Sequence, residues 1–134
     1  MTTYKRGTVV VVEVSFSDGS GVKRRPALVV SDPAFHRMLP DVLVAPVSSQ
    51  PRYLTRPGPG DVAIEPWKQV GLHHPSTVRV SKTLAVDKKI IRRVLGTMPG
   101  ATMARVDQAL RSALRLPVET PSAPGRARAV RRNG

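Results

Sequence analysis

Four consecutive valines, Val9 to Val12, follow the β-branched Thr8 and end at Glu13. Branching at Cβ stiffens χ1 and favours extended backbone. An unbroken apolar run has no polar face to turn to water, so this strand, read over Gly7 to Phe16, is predicted to be covered on both sides. It needs neighbours, and the chain supplies other short runs of the same kind. Asp18-Gly19-Ser20-Gly21 is a turn or flexible loop. Pro26 to Val30 is a second strand, with its proline at the tolerated first position. Asp41 to Pro46 is a third. Residues 51 to 60 hold Pro51, Pro57, Gly58, Pro59 and Gly60 and read as loop. Asp61 to Ile64 is a short strand, Ser76 to Val86 contains a fifth, and Arg92 to Met98 is a sixth. Between the last two, Asp87 is placed to cap one helical turn.

Ala101 to Leu116 has another period. Met103, Val106, Leu110 and Leu114 recur at three, four and four residues, and Ala109 and Ala113 widen the stripe. Arg111 and Arg115 lie elsewhere on the wheel, and Asp107 precedes Arg111 by four, a spacing that suits a side-chain pair. Several short strands followed by one packing helix predict a mainly β, α+β domain: a small barrel-like sheet of about 5–7 strands with a C-terminal helix.

Composition shifts once, near Leu116. From Pro117 onward Pro, Ala, Gly, Ser and Arg dominate, a mixture too poor in apolar surface to offset its ordering entropy. Residues 1–116 are therefore read as the barrel domain and 117–134 as a disordered basic tail. Lys and Arg number 22 and Asp and Glu 9, giving a formal charge of +13. The tail carries 4 − 1 = +3 and residues 1–116 carry 18 − 8 = +10, so the folded part is basic by itself. Such an excess points to a polyanion, most often nucleic acid. With no cysteine, a disulfide scaffold, a thiolate zinc site and cysteine catalysis are excluded, and a reducing compartment fits. No apolar run approaches the roughly 18 residues of a membrane span, and Val9 to Val12 are too few for the apolar region of a signal peptide.

Particular residues narrow this further. Lys5-Arg6-Gly7 leads into the valine strand. A block from Ser17 to Ser31 carries Lys23-Arg24-Arg25-Pro26, and Val42 to Gln50 ends in Ser48-Ser49-Gln50. Val70-Gly71-Leu72, Pro75 to Arg79, Ile90-Ile91, Leu95-Gly96 and the Val106 to Leu116 helix complete the series. In order and spacing, over residues 4 to 116, the chain resembles the MazF/PemK toxins of prokaryotic type II toxin–antitoxin modules. The resemblance implies an SH3-like barrel of the CcdB/MazF-like type, a cytoplasmic homodimer and an endoribonuclease that cuts single-stranded RNA, often messenger RNA, at short sequences. It implies neither metal nor other cofactor, attack by a ribose 2′-hydroxyl on the adjacent phosphate, and a cognate acidic antitoxin that occupies the RNA groove.

That reaction needs a group to take the 2′-hydroxyl proton, a donor to the leaving oxygen and donors to the phosphorane charge. Arginine meets the last need, because its planar fork matches two phosphate oxygens. Arg25 matches the catalytic arginine of the family's Arg-Pro motif. Lys23 and Arg24 are phosphate-steering charges or plain surface residues. Ser48 stands where the family carries a hydroxyl, which can bind phosphate or stabilise a turn, and Ser49 and Gln50 are neighbouring RNA contacts. Arg79 matches a second active-site arginine, with a cross-strand ion pair as the competing reading. Ser81 falls where some members carry an aspartate base, so that base is missing here. Strand alternation would put Arg79 and Ser81 on one face. Leu84 replaces an arginine of many members. Arg52 and Tyr53, an exposed aromatic among arginines, suit an RNA contact.

None of the histidines falls at a position that carries over as catalytic. His73 and His74 lack the carboxylate or cysteine companions of a metal site, and His36 reads as structural. Trp67 is a core or interface residue, or a base-stacking platform. Two rival readings use the same barrel without chemistry: an inhibitor of DNA gyrase and a non-catalytic RNA-binding module.

Overall fold

The computed structural model of the chain describes residues 3–15 and 18–117. The basic tail assigned to 117–134 lies, apart from Pro117, outside the described residues, as do Phe16 and Ser17. The strands are β1 (Thr8–Ser15), β2 (Val22–Val29), β3 (Asp41–Ser48), β4 (Asp61–Ala63), β5 (Thr77–Arg79), β6 (Leu84–Asp87) and β7 (Ile91–Thr97). The helices are α1 (Pro33–His36), α2 (Arg52–Thr55) and α3 (Gly100–Leu114). The sheet is antiparallel in the order β4-β5-β3-β2-β1-β7, with β6 also pairing β3. It curls into a barrel-like form without hydrogen-bonded closure, in line with the predicted class.

β1 is covered on both faces. Val9 joins a core with Leu28, Ala45, Val78 and Val106, while Val10 and Val12 join a second with Val29, Val44 and Val86. Its two edges are occupied by β2 and β7, which leaves no polar position before Glu13. α3 packs its Val106, Met103, Ala109 and Leu110 on the first core, but Leu114 at its end is exposed. Asp107 does not pair with Arg111. Its carboxylate takes the Arg6 guanidinium instead, which ties the chain's entry to the helix. His36 is fully buried and uses both ring nitrogens, one 2.8 Å from the Tyr4 carbonyl and the other 2.7 Å from the Ser31 hydroxyl. A carbonyl only accepts, so Nε2 carries the proton and Ser31 donates to Nδ1.

Four elements differ from the sequence reading. β2 begins at Val22, not Pro26, because Val22 to Arg25 pair with Ser15 to Val12 in a ribbon that runs beyond the core. All four of its added residues are exposed, so no apolar pattern announces them. Residues 52–55 form a helical turn where loop was expected, with Pro51 at its start and the Thr55 hydroxyl bonded back to the Pro51 carbonyl. Proline's fixed φ suits a helix start, and a single turn is too short to show a period. The 76–86 stretch holds two strands, β5 and β6, with a 3₁₀ turn at Val80–Lys82 between them. Arg79 is therefore the last residue of β5 and Ser81 lies in the turn, so strand alternation does not place them on one face. Asp87 does cap a 3₁₀ turn at Lys88–Ile90, accepting from the Lys89 amide at 2.8 Å.

One backbone crossing seats the 67–76 segment against β7. The 3₁₀ turn Trp67–Val70 ends at Gly71, whose φ of 92° is left-handed. A Cβ on Gly71 would sit 2.8 Å from the Leu95 carbonyl oxygen, and one on Gly96 would sit 2.7 Å from the Val70 carbonyl oxygen. Leu95 is the extra residue of a bulge opposite Val9 and Val10. Gly96→Ala is therefore expected to destabilise by about 1–3 kcal/mol, the usual cost of overpacking. Gly100→Ala, where nothing lies within 4 Å of the added Cβ, is the matched control. Urea midpoints of the two variants check this, and equal midpoints would remove the close-approach explanation.

Candidate active site

Beyond the last β2–β3 pair, Ala27–Pro46, the two strands continue for two residues to Arg25 and Ser48. Past that pair β3 turns to β5, and both residues line a groove of about 470 Å³. Arg24, Arg25, Ser48, Ser49 and Gln50 all line it. Leu72, His73 and His74, after the Gly71 crossing, line it too, as do Val11, Val47, Leu95 and Arg93. Ser48 Oγ accepts the Gln50 amide at 3.2 Å, which shapes the turn and leaves the hydroxyl proton free to donate elsewhere.

The charge is distributed unevenly. Glu13 faces Arg24 across the β1–β2 ribbon and takes its guanidinium at 3.5 Å. It also takes Arg92 through two hydrogen bonds of 3.2 and 3.1 Å. Arg92 is the extra residue of a second bulge in β7, between the Val11–Arg93 and Val12–Ile91 pairs. The Arg92 hydrogen bond above all, helped by Arg24, holds the Glu13 carboxyl below its usual range. Arg25 and Arg93, by contrast, have no ion-pair partner among the described residues. No carboxylate is among the groove's lining residues. Guanidinium and hydroxyl donors are groups that suit phosphate oxygens, and two such guanidiniums and a hydroxyl line this one groove.

The other candidates lie elsewhere. Arg79 Nε donates to Asp61 at 3.0 Å, and the two residues are cross-strand neighbours on β5 and β4. The Asp61 side chain is only 1% exposed; its second oxygen accepts the Gly58 amide at 2.8 Å. The Asp61 hydrogen bond raises the pKa of Arg79 above its ordinary value. The Arg79 guanidinium also stacks on the Tyr53 ring at 3.7 Å, and Arg52 approaches the same ring at 4.9 Å. Arg52, Tyr53 and Arg79 thus form a cluster that fixes α2 to the sheet, apart from the groove lining. Lys23 sits on the exposed ribbon and Ser81 in its 3₁₀ turn. Trp67 packs against the first core. Sequence reasoning passed over Arg93, and discounted His73 and His74 as lacking companions. Only the sheet register, which puts Arg93 opposite the groove-lining Val11, brings it in.

A small barrel-like β domain with an anion-receiving groove is the class this geometry defines. The family model described as PemK-like, MazF-like toxin of type II toxin–antitoxin system matches residues 5–114, and the chain belongs to that family. Its members are known as RNA-cleaving enzymes. An endoribonuclease in complex with its cognate antitoxin, from Mycobacterial species, is 27% identical with a TM-score of 0.68, covering 89% of this chain and all (100%) of that one. A MazE–MazF structure from Deinococcus radiodurans is 23% identical with a TM-score of 0.72, covering 87% and 100% of the two chains. The Mycobacterium tuberculosis toxin MazF-mt6 is 21% identical with a TM-score of 0.66, covering 83% and 99%. These last two likenesses establish the shared fold. A search of curated proteins gives no match. No helix among the described residues is long and apolar enough to cross a membrane.

The Glu13 clamp makes a pH prediction. A carboxyl held below its ordinary 4.5 adds stability above that value, and loses it as pH falls through the lower folded value. The native chain should exceed Glu13→Gln in urea midpoint at pH 7, and the gap should close below about pH 4.5. A gap unchanged down to pH 3 would mean that Glu13 acts through packing and not charge.

Proposed function

We propose that this chain is the toxin of a toxin–antitoxin module and a metal-independent endoribonuclease that cuts single-stranded RNA, messenger RNA included, at short sequences. The observation that carries the reading is that Arg25 and Ser48 both line one groove without carboxylates among its lining residues. The scissile phosphate lies between them. Arg25 binds two of its oxygens and stabilises the added negative charge as the ribose 2′-hydroxyl attacks, and Ser48 donates to the same phosphate. The 2′-oxygen–phosphorus bond forms as the bond to the 5′-oxygen breaks, leaving a 2′,3′-cyclic phosphate and a 5′-hydroxyl. Donors fixed in advance where charge develops account for much of such catalysis.

Arg24, Ser49 and Gln50 contact flanking nucleotides in this reading, and Lys23 steers the backbone from the ribbon. Arg52, outside the groove lining and stacked with Arg79 on Tyr53, adds positive charge for the RNA backbone. Ser81 takes no part in proton transfer. The basic groove also suits an acidic antitoxin segment, as the antitoxin complex of the mycobacterial relative suggests. Exposed Val94, Leu114 and Leu116 provide apolar surface for a homodimer in the cytoplasm.

The test is cleavage of a long mixed-sequence RNA in EDTA. The native chain should cut at a short recurrent site, leaving ends that carry cyclic phosphate. Arg25→Ala should cut about 10²–10³-fold more slowly, the usual loss for one transition-state donor. Equal cutting by both would reject the role of Arg25. Intact RNA together with a gel shift would favour a binding-only barrel, and blocked supercoiling by gyrase would favour the inhibitor reading.

A further inference from the structure

The proposed reaction moves two protons, and the groove restricts what can carry them. Its titratable lining residues are Arg24, Arg25, Arg93, His73 and His74. Arginine keeps its proton at any working pH, so the three guanidiniums bind and stabilise but cannot serve as the base. No carboxylate is among the groove's lining residues. Imidazole is the side chain whose ordinary titration lies near neutrality. Both His73 and His74 are exposed to solvent on the groove wall, within a segment whose start is fixed by the Gly71–Leu95 crossing.

We propose that His73 and His74 are the proton carriers of this nuclease. The inference rests on the nuclease reading and deepens it. One imidazole, neutral, takes the proton of the 2′-hydroxyl as the 2′-oxygen attacks phosphorus. The other, protonated, gives its proton to the departing 5′-oxygen as that bond breaks. Arg25 and Arg93 hold the phosphate between them while Arg24 stays engaged with Glu13. These three guanidiniums are the charged groups that face the imidazoles across the groove, from β2 and β7.

The experiment measures single-turnover cleavage of the mixed-sequence RNA in EDTA from pH 5 to 9, for the native chain, Arg25→Ala, His73→Gln, His74→Gln and the double glutamine variant. Binding is followed in parallel by fluorescence anisotropy with a 2′-O-methylated RNA of mixed sequence, which cannot be cut. Both histidines are exposed loop residues, and far-UV circular dichroism checks that the variants fold. The native rate should trace a bell, because one imidazole must be neutral and the other charged. Each single variant should lose one limb, and the double variant should cut about 10²–10⁴-fold more slowly with its RNA affinity within threefold of the native chain. A double variant that cuts within threefold of native with the same pH profile overturns the assignment, while Arg25→Ala loses activity and the nuclease reading stands. Parallel loss of binding and cleavage also overturns it, since the histidines would then be binding groups. If the native chain cuts no RNA at any pH, the nuclease reading fails and this assignment fails with it.

Discussion

The two-sided burial of β1 is the constraint on which the molecule depends. A strand that is apolar at four successive positions can be satisfied only between two cores, with both edges paired. β2 and β7 supply the edges; Val9 joins one core, Val10 and Val12 the other, and Val11 lines the groove. That arrangement fixes where β1 leaves the core, at Glu13. From this point the β1–β2 ribbon projects, and its base forms one side of the groove. The same strand therefore organises the packing and delivers the charges.

Glu13 then sorts the arginines. Four of them stand on β2 and β7 beside the groove, at Arg24, Arg25, Arg92 and Arg93. One carboxylate engages Arg24 and Arg92. Of these four, Arg25 and Arg93 are left without an ion pair among the described residues. Away from the groove Asp61 engages Arg79 in the same way. In a chain of net charge +13, these two acids neutralise arginines on β2, β5 and β7 and leave two guanidiniums of the groove lining without an ion pair.

Much of this was legible in the sequence. Thr8 to Val12, the Asp18 to Gly21 turn, the Met103 to Leu110 part of the helical stripe and the Asp87 cap follow from local chemistry, and the family pattern singled out Arg25 and Ser48; the helix ends at Leu114, two residues before the expected Leu116. Asp18 accepts the Ser20 amide at 2.8 Å, as such turns do. The misses share a cause. The first half of β2 is paired but unburied, so it lacks alternation. α2 is one turn long and has no period to detect. β5 and β6 merge into one apolar stretch because the 3₁₀ turn between them contains the buried Val80. For Arg79 the cross-strand partner was not legible, because only pairing sets Asp61 across from it. Arg93, His73 and His74 enter the groove through the bulges of β7 and the Gly71 crossing. Both are long-range features with no local signature.

The Gly71–Gly96 crossing has a consequence for how this groove can change. The wall that carries Leu72, His73 and His74 is seated by backbone against backbone: a left-handed glycine on a bulge carbonyl, and a second glycine under the Val70 carbonyl. No side chain of the wall's exposed tip takes part in that seat. Substitutions at 73 and 74 can therefore alter chemistry or base preference without loosening the anchor, whereas the two glycines tolerate almost nothing. Foldability and recognition are separated within five residues of chain, so the tip is free to diversify while the domain beneath it stays the same.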